Sequence, residues 1–212
     1  MLDLKIINGT IIDGTGDPAY KGDVGVKNGQ IILPAEGEAR EEMEAAGKYV
    51  CPGFVDAHSH GDGILGTDYA AMCKVCQGIT TEIAGQCGES MAPVVPGREE
   101  EIKAVIAGDV VSYPKELETF TSYEPYFRWI ERIPLAPNLR VLVGHSTLRA
   151  GVMGYENRRA SAKDMAEMKR LLKDGMEQGA LGMSSGLIYP PGCYGDAEEL
   201  IELCKVVAEY GG

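Results

Sequence analysis

The sequence predicts an α/β protein in which a small N-terminal β module precedes a series of parallel β/α units. Two observations support this fold class. Residues 1 to about 50 contain β-branched runs separated by Asn-Gly pairs, whereas from Pro52 onward apolar runs alternate with segments of helical periodicity. Strands that alternate with helices are typical of a parallel sheet. We therefore expect a β module at 1–50 and a β/α domain at 51–212.

Turn residues define the strands expected in the first module. Asn8-Gly9 splits the first β-branched run and is a strong hairpin signal, and Asn28-Gly29 predicts a second turn between strands in 21–32. The acidic stretch 36–44 follows, and its charge favours a solvated loop or a short helix.

The β/α domain is predicted to contain four strands and four helical segments. The strands are expected at 53–58, 79–84, 139–144 and 180–184. The helical segments are expected at 68–77, 98–133, 161–178 and 196–210. Ser161 is a good N-cap for the third, because Asp164 adds negative charge to the first turn. Four β/α units are half of a (β/α)8 barrel, which usually takes about 250 residues, so we expect a partial TIM-like barrel.

Composition excludes several classes of function. The 212 residues have a formal net charge of −12, with no basic cluster that could neutralise nucleic-acid phosphates. No apolar run approaches the roughly 20 residues that a membrane span needs, and the first residues do not resemble a signal peptide. Six cysteines are too few to suggest a disulfide framework. We expect a cytoplasmic protein without nucleic-acid or membrane partners.

Two histidines at the end of the first predicted barrel strand indicate a metal site. His58 and His60 lie two residues apart, so on a strand both imidazoles would face the same side. Barrel enzymes place their chemistry at this end of the strands. Cys87 follows the second strand between glycines that allow a tight turn, and its thiolate could complete the site. A lone cysteine is more often a small buried side chain, so the metal hypothesis for Cys87 depends on its position at the strand end next to His58 and His60.

Other polar residues lie at the same predicted strand ends. Asp56 and Asp62 flank the histidines and are candidates for orienting the ligands by hydrogen bonds, without contacting the metal themselves. His145 ends the third strand, where it could bind substrate or pack against its neighbours. Ser184, Ser185 and Tyr189 lie at the end of the fourth strand, where substrate contact and a hydrogen-bonded turn are both consistent with the sequence.

Two other motifs suggest different chemistry. Gly61-x-Gly63-x-x-Gly66 spells a dinucleotide-binding loop, with Glu82 as the acidic residue on the next strand. That strand continues beyond Glu82, however, and the preceding strand ends in two imidazoles. Gly182-Met-Ser-Ser-Gly186 spells the nucleophile elbow of serine hydrolases, but Pro190-Pro191 follows instead of a helix and no histidine comes later. The dinucleotide hypothesis stays open as a minor alternative, whereas the serine-hydrolase hypothesis is rejected.

Longer motifs carry a family resemblance. PGFVDAHSHGD, QGITTEIAGQCGES, LVGHSTLRAGVMG and GALGMSSGLIYPPG resemble the N-acyl-D-amino-acid deacylase (D-aminoacylase) branch of the metal-dependent amidohydrolases, in order and over nearly the whole chain. The opening IINGTIIDGTGD resembles the small β module that precedes the barrel in that family. The resemblance implies zinc-dependent hydrolysis of N-acyl-D-amino acids, with one or two Zn²⁺ ions held by residues that include His58, His60 and Cys87. Gln86 stands where the family's motif has asparagine.

The same resemblance predicts an incomplete enzyme. In the family, further histidine ligands lie on strands five and six and an acid/base aspartate on strand eight, whereas this chain has three histidines in total. The catalytic aspartate is therefore not assigned to any residue here. We expect an N-terminal fragment or half of a deacylase whose substrate is a small N-acyl-D-amino acid. Its partner would be a C-terminal half barrel or another copy of itself. The alternative is an inactive fragment with a binding role only.

Overall fold

The computed structural model describes residues 1–65 and 73–212, which form a mixed α/β protein, so the predicted fold class is confirmed at that level. The chain divides into two compact units, Met1–Gly53 and Phe54–Gly212. Across the described residues, no helix has the length and apolar character that crossing a membrane would need.

The first unit is a five-stranded mixed sheet. Its strands are β1 (Leu2–Ile11), β2 (Tyr20–Lys27), β3 (Gln30–Ile32), β4 (Ala39–Glu44) and β5 (Tyr49–Val50). The order is β3-β2-β1-β4, and β5 also pairs with β1. β1 runs antiparallel to β2 but parallel to β4 and β5.

The structure confirms one of the two turns predicted in this unit, and it corrects the other turn and the prediction for residues 36–44. Asn28 and Gly29 both have positive φ angles and join β2 to β3, as expected for a tight hairpin. The hairpin predicted at Asn8-Gly9 is wrong, because β1 continues through these residues with only a register shift between Ile6 and Gly9. The loop or helix predicted at 36–44 is also wrong in part, since residues 39–44 form β4 along the edge of β1.

The strands of the second unit are parallel to their neighbours. They are β6 (Phe54–Asp56), β7 (Ile79–Ala84), β8 (Asn138–Val141), β9 (Val143–Gly144) and β10 (Met183–Ser184). β7 pairs with β6 and β8, and β9 pairs with β10. The predicted strand at 139–144 is divided at Leu142, whose N–H still donates to the carbonyl of Ala84 at 2.9 Å. The carboxyl ends of these strands therefore lie side by side in sequence order.

Five helices surround these strands in the described residues. They are α1 (Glu99–Ile106), α2 (Tyr123–Ile130), α3 (His145–Met153), α4 (Ala162–Glu177) and α5 (Ala197–Glu209). α4 and α5 agree with the predicted segments, and α1 and α2 occupy the predicted insertion at 98–133. Of the helix predicted at 68–77, residues 68–72 lie outside the described residues, and residues 73–75 are helical. α3 was not predicted, because His145 begins a helix where the sequence suggested only the end of a strand.

Side-chain caps and an apolar core stabilise these helices. Ser161 and Asp164 form a reciprocal capping box at the start of α4, and Asp196 caps α5 by accepting from the N–H of Glu199. The apolar side chains on one face of α4, several of them methionines, are part of the core, and Met168 and Leu172 are completely buried. Burial of each such side chain contributes roughly 1.5–3 kcal/mol. This core supports the strand ends where the candidate site lies.

Candidate metal centre

The His-x-His pair lies in the segment that follows β6, because this strand ends two residues earlier than the sequence predicted. β6 ends at Asp56, so His58 and His60 are not strand residues. Ser59 between them is buried, and its hydroxyl donates to the carboxylate of Glu82 on β7 at 2.7 Å. Because Ser59 is fixed inward, its two neighbours are turned outward together, and their ring centres lie 5.8 Å apart.

Cys87 is presented by a tight loop at the end of β7. Its φ angle is +56°, between Gly85 at +72° and Gly88 at +84°. A non-glycine residue adopts this left-handed conformation only where its surroundings hold it. The conformation brings Sγ of Cys87 to 3.3 Å from Nε2 of His58. The structure therefore brings together two side chains that belong to different strand ends.

One ligand atom from each of His58, His60 and Cys87 lies within 4.8 Å of the other two. Two imidazole nitrogens and a thiol sulfur are the donors that zinc prefers, and three protein donors with an open position are typical of a catalytic zinc site. The donor set and its convergence therefore fit a zinc ion. The three predicted metal ligands are the residues that the fold brings together.

Asp109 supports this cluster from the loop after α1. Its carboxylate accepts from Nδ1 of His60 at 2.6 Å. Because Nδ1 is occupied in this way, Nε2 is the nitrogen of His60 that can donate a lone pair to a metal. Sequence reasoning missed Asp109, since a single Gly-Asp pair in a long insertion has no spacing that links it to a strand end.

Several carboxyl groups surround the cluster and affect one another's pKa values. Burial, together with a hydrogen bond to Asp109, raises the pKa of Glu89 to about 8. Burial raises the pKa of Asp62 to about 7, with the nearby charges of Asp109 and Glu82 adding to the effect. Burial likewise raises the pKa of the Cys87 thiol, and Glu89 and Asp109 raise it further. A bound divalent cation would oppose all of these shifts, because it stabilises the negative forms.

The two candidate supporting carboxylates, Asp56 and Asp62, lie close to the histidine segment. Asp56 accepts from the backbone N–H of His58 at 3.3 Å and pairs with Nζ of Lys74 at 2.5 Å. Hydrogen bonds from Lys74 lower the pKa of Asp56. Asp62 is buried in the short 3₁₀ helix Gly61–Ile64. Asp56 therefore acts on the backbone that carries His58, and Asp62 is buried shortly after His60.

Close packing accounts for the glycine pattern of this segment. A Cβ atom on Gly61 would lie 2.2 Å from a carboxylate oxygen of Glu82, and one on Gly63 would lie 2.0 Å from the carbonyl oxygen of Asp109. Gly66 lies outside the described residues. These glycines allow the chain to approach β7 and the Asp109 loop closely. Close packing therefore explains why glycine occupies these positions, and a phosphate ligand is not needed to explain it.

A cavity of about 460 Å³ opens beside the cluster. His60, Cys87, Glu89 and Asp109 form its polar side. Tyr155, Tyr189 and Pro190 are among its other lining residues, so Tyr189 lies where the sequence predicted a substrate contact. Tyr155 and Glu89 were missed; Glu89 carried the weak signal of lying two residues after Cys87.

The other predicted substrate contacts lie away from this cavity lining. His145 is completely buried, and its Nε2 lies 2.6 Å from a carboxylate oxygen of Glu199 on α5. Ser184 is also buried, and it bonds to the backbone of the Cys87 loop. Ser185 is exposed. Of the four predicted residues, the structure places only Tyr189 in the lining.

Comparison with known proteins shows what this arrangement resembles. The chain is 36% identical over 206 residues to an N-acyl-D-aspartate deacylase of Alcaligenes xylosoxydans xylosoxydans, covering 96% of this chain and 40% of the relative. A solved N-acyl-D-glutamate deacylase from Bordetella bronchiseptica, in complex with zinc and a phosphonate inhibitor, matches with a TM-score of 0.83 and 36% identity. That match covers 98% of this chain and 43% of the other chain.

A solved D-aminoacylase with a binuclear metal centre matches with a TM-score of 0.81 and 32% identity over 100% of this chain and 44% of the other. The chain thus spans less than half the length of each of these relatives. The amidohydrolase family profile matches residues 41–206, which is most of the chain and includes His58, His60 and Cys87. The resemblance seen in the sequence motifs is therefore confirmed, and the chain belongs to the amidohydrolase family.

Proposed function

We propose that this chain forms the N-terminal part of a zinc-dependent hydrolase that cleaves the amide bond of N-acyl-D-amino acids, releasing a carboxylate and a free D-amino acid. The observation that carries the proposal is the convergence of donor atoms from His58, His60 and Cys87 within 4.8 Å at two neighbouring strand ends. The deacylases among its relatives support the substrate class.

In the proposed site, His58, His60 and Cys87 would hold one or two zinc ions. When bound, zinc supplies Lewis acidity and activates water at neutral pH. Asp109 keeps the Nε2 nitrogen of His60 available as a donor. Tyr189 lines the cavity beside Cys87, where its hydroxyl group can donate to a substrate oxygen. These residues bind and orient, and the acid/base group that moves the proton to the leaving amine is not assigned among them.

The four parallel strand segments support a partial (β/α)8 barrel as the framework of the site. β6, β7, β8–β9 and β10 follow one another in sequence order with helices between them. Leu187 and Ile188, in the turn that follows β10, are 50% and 79% exposed. Exposed apolar side chains close to the end of a strand are suited to burial by further β/α units. We propose that a C-terminal half barrel, or another copy of this chain, covers them and completes the site.

Cobalt titration tests the metal site directly. Co²⁺ replaces zinc in sites of this kind and reports a coordinated thiolate through a charge-transfer absorption. We expect the 212-residue chain to show this absorption and the Cys87→Ala variant to lose it. Cys204→Ala, which removes an exposed thiol on α5, is the matched control and should bind as the wild type does. Absence of metal binding by the wild type would overturn the proposal.

Hydrolysis of N-acetyl-D-methionine tests the activity. The chain is assayed alone and after addition of a C-terminal half taken from a related deacylase. Zinc-dependent turnover in either setting supports the enzyme. Metal binding without turnover in both settings would favour the alternative, a fragment with a binding role only. NAD⁺ binding in the absence of zinc would instead favour the dinucleotide-binding alternative suggested by the glycine pattern.

A further inference from the structure

The loop that carries Cys87 is held by a residue from a strand that contributes no ligand. The hydroxyl of Ser184, on β10, donates to the carbonyl of Gly85 at 2.5 Å. The same hydroxyl accepts from the N–H of Gly88 at 2.9 Å. Ser184 therefore closes the two ends of the segment that contains Cys87, using both its donor and its acceptor.

The segment needs such a restraint because its conformation is unfavourable for an L-residue. Cys87 has a φ angle of +56°, which persists only where neighbouring contacts fix it. Gly186, two residues after Ser184, packs against the same loop: a Cβ atom on Gly186 would lie 2.0 Å from the carbonyl oxygen of Cys87. The end of β10 thus restrains Cys87 by two hydrogen bonds and by close backbone contact.

We propose that Ser184 is a positioning residue of the metal centre, which holds the 85–88 loop so that the sulfur of Cys87 stays beside His58. This inference rests on the proposed function, because it assigns Ser184 to the same site. It differs from the role predicted from the sequence, since Ser184 is 8% exposed and acts on the ligand through the backbone instead of contacting substrate.

A matched pair of serine variants separates positioning from simple stabilisation. Ser184→Ala removes the two hydrogen bonds that close the Cys87 loop. Ser161→Ala also removes a hydroxyl with two hydrogen bonds in the same unit, those of the α4 capping box. A purely structural role would give the two variants the same behaviour at Cys87. Circular dichroism shows whether each variant is folded.

The first readout is metal binding by the 212-residue chain. We expect Ser184→Ala to raise the Co²⁺ dissociation constant by about 10- to 100-fold, as is typical when a residue that orients a ligand is removed. Its thiolate-to-cobalt absorption should weaken, whereas Ser161→Ala should match the wild type in both respects. A Ser184→Ala variant with wild-type affinity and absorption would overturn the inference.

The second readout needs no metal. The rate of Cys87 alkylation by iodoacetamide is followed by peptide-resolved mass spectrometry, because the other cysteines are exposed. We expect faster alkylation of Cys87 in Ser184→Ala than in the wild type or Ser161→Ala, since the released loop exposes Sγ. Equal rates would overturn the inference. A wild type that binds no cobalt would refute the proposed function, and the alkylation rates would still decide the role of Ser184.

Two further variants apply if Ser184→Ala does not fold. Gly186→Ala leaves the hydroxyl in place but pushes against the Cys87 carbonyl, so it should weaken cobalt binding or accelerate Cys87 alkylation. Ser184→Thr retains the hydroxyl and should keep the alkylation rate of the wild type. Unchanged binding and alkylation in a folded Gly186→Ala variant would overturn the inference.

Discussion

The carboxylate of Asp109 lies 2.6 Å from Nδ1 of His60, although the two residues belong to different loops of the second unit. This contact orients the imidazole of His60 and leaves Nε2 as the nitrogen that can bind a metal beside Cys87 and His58. The proposed metal centre therefore includes a supporting residue from the insertion after β7 as well as residues from the strand ends.

Removal of the Asp109 side chain should weaken metal binding. We expect Asp109→Ala to raise the Co²⁺ dissociation constant of the chain by about 10- to 100-fold, because His60 loses the group that fixes its ring. Asp109→Asn should have a smaller effect, since the amide oxygen still accepts from Nδ1. Glu118→Gln, an exposed carboxylate in the same insertion, serves as the control. Asp109→Ala with wild-type affinity would contradict this assignment.

Gln86 should stabilise the chain by joining the two ligand segments. Its side-chain amide donates to the carbonyl of Ala57, next to His58, at 2.9 Å and to that of Ile83 at 3.2 Å. Gln86→Ala would remove both bonds, although the carbonyl of Ile83 would keep the N–H of Ser59 as a donor. We expect the free energy of unfolding to fall by about 1–3 kcal/mol. Urea denaturation measures it, and Gln77→Ala, an exposed glutamine whose amide bonds within its own helical turn, is the comparison.

The buried carboxylate of Glu199 should be important for stability. It accepts from Nε2 of His145 at 2.6 Å and from Arg149 at 2.5 Å, so it links α5 to α3. Glu199→Gln would leave the fully buried Arg149 without its counter-charge. We expect a loss of about 3–5 kcal/mol in the free energy of unfolding.

Urea denaturation at neutral pH tests this, with Glu202→Gln on the same helix as the control. Glu202 pairs with Lys169 and Lys205 at the surface, so its removal should have a much smaller effect. Similar losses in the two variants would show that Glu199 is not a special buried partner.

The stabilisation by Glu199 should also depend on pH. Burial alone would raise the pKa of Glu199, but the hydrogen bonds and charges of His145 and Arg149 outweigh burial and hold the pKa below the ordinary value of 4.5. A depressed folded-state pKa means that the stabilisation is present above about pH 4.5 and is lost as the pH falls through the folded-state value.

The difference in unfolding free energy between wild type and Glu199→Gln should therefore be constant near neutrality and shrink in acid. Urea denaturation of both proteins across an acidic pH series measures this difference. A difference that grows as the pH falls would contradict the sign of the pKa shift.

Local signals in the sequence predicted the elements that depend on local chemistry. Ser161, which was predicted as an N-cap, starts α4 because its hydroxyl bonds to the backbone N–H of Asp164 only three residues away. The turn at Asn28-Gly29 forms as predicted because these two residue types tolerate the positive φ angles of a tight hairpin. Asn8-Gly9 has a similar sequence but stays within β1, because pairing with strands on both sides outweighs the local preference for a turn.

The sequence by itself determined the α/β class. It also identified His58, His60 and Cys87 as candidate metal ligands, since residue type and position near a strand end can both be read from the linear sequence. Only the tertiary structure decided which groups support them. Asp109 reaches His60, and Ser184 reaches the Cys87 loop, through contacts between segments far apart in the chain. No periodicity or spacing encodes such contacts, because they depend on how the strand ends pack side by side.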